Sequence, residues 1–233
     1  MPQKEKKDAE ETKKAVSIQI TPPRMEWIGI HIENLEGSPL VSNRFGLISR
    51  NAMQEQQLAG STARGKRKRD PKNFEAGYRD SLYTSPDGWY GFNAAAFRAA
   101  AISACRLVGF KMTFAKLAIF IEADGVSEDG QTALVRITGS PESFIAPVRN
   151  SSGVADLRAR AMFRKWSMVV NVRFDADMFT RDDITNLFAR IGAQVGIGAG
   201  RPDSRESAGQ GWGMFRVTHV VVSGAREPEA KTA

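Results

Sequence analysis

The stretch G-A-Q-V-G-I-G-A-G-R-P-D-S-R-E-S-A-G-Q-G-W-G, residues 192–213, constrains this chain more than any other. Seven of its 22 residues are glycine, six of them in two alternating triplets: Gly196, Gly198, Gly200 and Gly209, Gly211, Gly213. Alternating glycines release the backbone from negative φ and remove side chains. A segment built this way can lie close against a second surface and offer its amides, as a phosphate backbone requires. Arg201 and Arg205 place positive charge in its middle, and Trp212 adds a ring. An amphipathic helix pattern precedes it and a strand pattern follows. The expectation is a built loop before the last strand, not a flexible connector.

The rest of the chain supplies elements around that loop. W-I-G-I-H-I-E-N-L, residues 27–35, alternates with a strand period, setting Ile28, Ile30 and Ile32 opposite Trp27, Gly29, His31 and Glu33. V-S-I-Q-I, residues 16–20, has the same period before Pro22 and Pro23. Residues 93–108 predict an alanine-rich helix with Asn93 as N-cap and Gly109 as its stop. Residues 180–191 predict a second helix, with Thr180 and Asp183 as a capping box and Ile184, Leu187, Phe188 and Ile191 inward. Residues 117–123 and 133–138 predict paired strands around two Asp-Gly turns, and residues 140–156 a loop. Residues 166–174 and 214–222 complete the strands. Stripped of insertions, the order contains β-α-β…β-α-β, the split unit of an α+β, ferredoxin-like (RRM-like) palm.

Residues 36–87 interrupt that order with weak periodicity and read as an inserted arm. In it stand Arg64, Lys66, Arg67, Lys68 and Arg69, followed by Phe74, Tyr78, Tyr83, Trp89 and Tyr90. Cations that track phosphates, next to rings on which bases stack, suit single-stranded nucleic acid. The net charge of +7 and a pI near 9.7 agree with a polyanionic partner. Polar residues 1–15 and 223–233 read as disordered tails around one domain, 16–222. No apolar run approaches the roughly 20 residues of a membrane span, and no signal-peptide core precedes the domain. A cytoplasmic setting, with no membrane partner, is the expectation.

Catalytic groups are sparse. The chain has two histidines, His31 and His219, both in strand patterns, and one cysteine, Cys105. His31 is the sole candidate for acid–base work. The nucleophile elbow, the zinc-protease helix and the phosphate-binding P-loop are missing, so neither metal nor cofactor is expected. G-I-G-A-G-R follows a helix and precedes a strand, the reverse of a dinucleotide fingerprint.

The glycine-helix lead-in Gly91-Phe92-Asn93, the ferredoxin-like order and G-I-G-A-G-R-P…G-Q-G-W-G-M-F before the last strand resemble the RAMP superfamily of CRISPR proteins. Within it, the chain is most similar to the backbone subunit that coats guide RNA and to its phage and plasmid relatives. The resemblance implies a palm with an inserted arm or thumb, single-stranded RNA or DNA as ligand, and copies assembled side by side or as a filament. Contacts with other effector-complex subunits follow from the same resemblance. The loop carries over onto Gly196, Gly198, Gly200, Gly209, Gly211 and Gly213. Target-cleaving members carry an aspartate after the first strand, where N-L-E-G-S-P-L-V has none, and residues 93–98 lack the histidine of guide-processing members. The expectation is therefore a non-catalytic binder, the alternatives being a metal-independent endoribonuclease using His31 and a phage accessory or assembly protein on the same fold.

Overall fold

A computed structural model describes residues 20–44, 46–58, 72–149, 155–204 and 209–223. The basic run from Arg64 to Arg69, Arg205 and most of both expected tails lie outside the described residues. The chain is α+β, with two antiparallel sheets.

Strand β1 (Met25–Asn34) follows the expected alternation: Ile28, Ile30 and Ile32 are buried, at 1% exposure or less. It lies between β10 (Ser167–Asp175) and β11 (Phe215–Ser223), antiparallel to both. The far edge of β10 is shared by β5 (Ile119–Glu122) and β7 (Ala133–Thr138). Beyond β7 come β4 (Tyr90–Asn93) and β3 (Tyr83–Thr84), while the short β6 (Gly125–Val126) also pairs with β7. A second sheet joins β2 (Leu40–Val41), β9 (Ala155–Phe163) and β8 (Pro141–Arg149), with β9 in the middle.

Helices α1 (Leu47–Leu58) and α2 (Phe74–Ser81) fall in the segment read as an arm, and α2 packs on β9. Helix α3 (Ala94–Cys105) starts at its predicted cap: the Asn93 side chain accepts from the Ala95 amide at 2.9 Å. A 3-10 turn follows and ends at Gly109, φ +71°. Helix α4 (Met112–Ala118) leads into β5. Helix α5 (Arg181–Arg190) carries the capping box, Thr180 and Asp183 each accepting the other's amide, at 3.1 and 2.9 Å. It then widens into one π-type turn, Ile191–Val195.

The core lies between these helices and one face of the larger sheet. Phe97, Ala101 and Ala104 of α3 and Ile184, Leu187 and Phe188 of α5 meet Ile28, Ile30, Val170, Val172 and Phe174 there. Burying one such large side chain is worth about 1.5–3 kcal/mol. Cys105 is buried in the same core, as its place in the helix pattern predicts. No described helix is long and apolar enough to cross a membrane.

Two expectations are corrected. Residues 140–156 are no loop: β8 and β9 form a hairpin in register from Pro141↔Phe163 to Arg149↔Ala155. Pro141 and Pro147 hide it from a pattern search, yet β8 is an edge strand, where an amide donor can be spared. Nor do the strands at 119–122 and 133–138 pair with each other. Asp124 turns the chain between them, its amide donating to the Leu134 carbonyl at 2.8 Å and its carboxylate accepting from the Arg136 amide at 2.8 Å. Strand β5 is thereby sent to β10, and the hairpin partner of β7 is β6.

Candidate nucleic-acid interface

The glycine loop joins α5 to β11, and it is folded onto the protein itself. All six glycines of the two triplets have positive φ, from +68° to +77°. The halves lock together where the Ile197 amide donates to the Gly213 carbonyl at 3.0 Å and the Gln210 amide to the Gly200 carbonyl at 2.7 Å. The Ala199 amide donates to Val41 in β2, at 2.9 Å, and the Gly213 amide to Pro39, at 2.9 Å. Close approach explains the composition: a Cβ on Gly213 would stand 1.8 Å from the Ile197 carbonyl oxygen, and one on Gly198 2.7 Å from that of Val41. Gly211 differs, with no atom within 4 Å of where its Cβ would be. Trp212 is half-buried, and its indole meets the ring of Phe144 on β8 edge-on at 5.5 Å. The amides of Gly198, Gly200 and Arg201 donate to no group among the described residues.

Between this loop and the start of α3 opens a cleft of about 470 Å³, lined by Asn43, Tyr83, Asn93, Ala96, Gly198 and Arg201 among others. Arg201 Nη1 donates to the Gly198 carbonyl at 3.1 Å, which sets its guanidinium along the wall. Asp203, also on the wall, accepts from Ser103 Oγ at 2.5 Å and from Arg106 at 3.2 Å. Behind the cleft, Asp129 is held between Arg44 (3.1 Å) and Arg50 (2.8 Å), with its side chain 5% exposed. A hydrogen bond from Ser127, helped by the Gln131 amide and both arginines, holds its carboxyl well below the usual carboxylate range. This buried cluster ties the segment before α1 to the turn between β6 and β7.

The second surface is the other face of the larger sheet, which the core helices leave uncovered. Register sets its side chains in rows across the strands. One row reads Phe120, Arg173, Trp27 over β5, β10 and β1; the next, Glu122, Asn171, Gly29, Val221; the third, Val169, His31, His219. The guanidinium of Arg173 lies 4.5 Å from the centroid of Phe120, and that of Arg98 lies 5.2 Å from it. Arg136 on β7 lies over Trp89 at 5.8 Å. Arg173 is also paired with Glu122 at 2.7 Å, and Arg216 with Glu33 at 2.6 Å. His31 stacks on His219, and its pKa is lowered, first by burial and then by the neighbouring imidazole.

Residues two apart on a strand stand roughly 6.6–6.8 Å apart on one face. Trp27 and His31 therefore flank Gly29 at that spacing on either side, with no side chain between them on β1. The gap between Trp27 and His31 on β1 is thus about 13 Å, and Asn171 and Val169 of β10 border it beside Gly29.

Of the residues singled out in the sequence, the structure brings Gly196, Gly198, Gly200, Arg201, Gly209, Gly211, Trp212 and Gly213 into one folded loop, and sets His31 on the open face beside His219. Phe120, Arg98, Arg173 and Trp27 were not singled out as a group. Their strands and helix are far apart in the chain, and the signal that could have joined them is sheet register. No group of three or more histidine, cysteine, aspartate or glutamate residues that could hold a metal exists among the described residues.

No protein-family model matches the chain, and no curated protein matches it significantly.

Proposed function

We propose that this chain is a non-catalytic protein that binds single-stranded nucleic acid, RNA in preference to DNA, through the open face of its larger sheet. The observation that carries the reading is that face: rings of Trp27, Phe120, His31 and His219 from three strands, with the guanidiniums of Arg98 and Arg173 over one of them. Single strands are bound by rings that take the faces of bases and by cations that take the backbone, and a four-stranded sheet is a common platform for both.

The neighbour order β11-β1-β10-β5, antiparallel throughout and crossed by α3 and α5, supports a ferredoxin-like palm. Together with the glycine loop before the last strand, it supports the reading as a relative of the RAMP backbone subunits, with copies set side by side along one strand. Arg64, Lys66, Arg67, Lys68 and Arg69 extend the contact to phosphates in this reading.

Affinity for a single-stranded 30-mer is expected to fall steeply with salt, because each neutralised phosphate releases counterion. Changing those five basic residues to alanine is expected to flatten the slope and leave the melting temperature unchanged. Complex mass, measured by light scattering on strands of increasing length, is expected to grow with length. An absence of nucleic-acid affinity overturns the binding reading; a constant stoichiometry overturns the side-by-side arrangement alone.

A metal-independent ribonuclease is the second reading, favoured by the meeting of both histidines at one place on this face. Incubation with labelled RNA decides it: cleavage by the wild type that disappears in His31→Ala establishes the enzyme.

A further inference from the structure

The outermost described strand of the larger sheet, β11, is nine residues long, F-R-V-T-H-V-V-V-S, and among the described residues it pairs on one side only. Its other edge carries no proline and one charge, Arg216, already paired with Glu33; the one irregularity in its ladder falls at Thr218 and leaves His219 to Ser223 regular. Val221 and Val222 are 49% and 53% exposed. At the other end of the chain, V-S-I-Q-I has a strand period and ends in Ile20, which is 89% exposed. An acceptor edge with no partner among the described residues and an apolar strand sequence occur in the same molecule.

We infer that residues 16–20 of one copy add to the outer edge of β11 of a second copy, antiparallel to it. This inference rests on the side-by-side arrangement proposed above and supplies its protein–protein contact. An antiparallel partner that sets Val16 and Ile18 beside Val222 and Val220 places Ser17 opposite Val221 and Ile20 beside Thr218. The chain enters β1 at Met25, beyond the pair Trp27↔Ser223. Ile20 would then stand about 25 Å from Met25, counting about 3.3 Å per residue along the strand and two strand spacings of about 4.8 Å across it. The five residues from Ile20 to Met25 reach only about 17 Å. The antiparallel arrangement is thus closed to a chain's own segment and open to a neighbour's. A parallel arrangement within one chain is within reach, but it would cover Ile20, which stands exposed.

Each copy then carries one donor and one acceptor, a contact that can pass from copy to copy. Main-chain hydrogen bonds supply the attraction, and the alternating Val16, Ile18 and Ile20 supply the register. The charge balance permits it, since Arg216 is the only formally charged side chain on β11 at neutral pH and residues 16–20 carry none.

The test uses full-length chains without nucleic acid. Chains carrying Ser17→Cys are mixed with chains carrying Val221→Cys under mild oxidation; Cys105 is buried and does not compete. A disulfide-linked species of twice the chain mass is expected. Light scattering is expected to give masses above the single-chain 25.6 kDa for the wild type, and that mass for the double variant Ile18→Asp, Ile20→Asp, with unchanged melting temperature. Val221→Asp, on the acceptor side, is expected to dissociate the assembly in the same way. A wild type that is monomeric at high concentration overturns the inference. So does a crosslink that forms within one chain carrying both cysteines, or a Val221→Cys homodimer that survives the Ile18→Asp, Ile20→Asp changes. Binding of a strand too short for two copies is measured alongside. If it persists in a monomeric wild type, the strand addition fails while the nucleic-acid reading stands.

Discussion

The imidazoles of His31 on β1 and His219 on β11 stack with centroids 3.6 Å apart and planes inclined by 24°. They stand opposite each other in the ladder, one residue before its register shifts at Ile32. Two positive charges at this distance repel, so the pair suits the neutral state. Burial and then the His219 ring lower the pKa of His31 in the folded protein.

The sign of the pH effect follows. An unfolded histidine binds its proton near pH 6.5, while folded His31 resists it. The contribution of His31 is complete above about pH 6.5 and is lost as pH falls through its lowered folded value. Melting temperature is expected to decline between about pH 7.5 and pH 5.5 in the wild type and to stay flatter in His31→Asn. Equal slopes in calorimetry would show that the stack carries no linkage.

Trp27 stands in the open row beside Arg173 and is only partly buried. Trp27→Ala and Phe120→Ala are each expected to weaken binding of a short single strand by on the order of 1–3 kcal/mol, the scale of one stacked base. Fluorescence polarisation reads the affinity, and a thermal melt checks that the fold is kept. Full affinity in both variants would move the ligand off this face.

Gly29 gives a sharper test of the same face. Its Cβ would meet Asn171 Oδ1 at 3.3 Å, a contact that a small side-chain shift relieves. Gly29→Val therefore keeps the fold while filling the interval between Trp27 and His31. Affinity is expected to fall about tenfold or more, whichever base is offered, and competition binding with homopolymers measures it.

The two ends of the glycine loop predict opposite costs. Gly213→Ala drives a methyl into the Ile197 carbonyl at a positive φ and is expected to destabilise by on the order of 3 kcal/mol or more. Gly211→Ala meets open space and carries only the backbone cost of its φ of +71°, about 1–2 kcal/mol. Chemical denaturation of the two variants measures the difference.

Asp129→Ala leaves Arg44, whose side chain is 10% exposed, without its partner carboxylate. Removing one member of a buried pair costs about 3–5 kcal/mol. Because the folded pKa of Asp129 is depressed, its contribution is present above the unfolded value near 3.9 and is lost as pH falls below it. Acid unfolding monitored by circular dichroism is expected to begin at higher pH in the variant.

What the sequence determined by itself is local. Asn93, Gly109, Thr180 and Asp183 mark their helix ends because a cap bonds within three residues of itself. The alternation in β1 shows which residues turn inward, since a pleated strand sends neighbours to opposite faces. The clustering of the glycines marks a built loop, but its partner is not a local property. Only the folded chain shows Gly213 against Ile197 and Gly198 against Val41, which brings together segments distant in sequence. The same holds for the β8–β9 hairpin, whose prolines are tolerable only because β8 ends up at an edge. It holds also for the row Phe120, Arg173, Trp27, which exists because β5 joins β10 instead of β7. Periodicity and capping are carried by neighbouring residues, whereas strand pairing is decided by which apolar faces can be buried together.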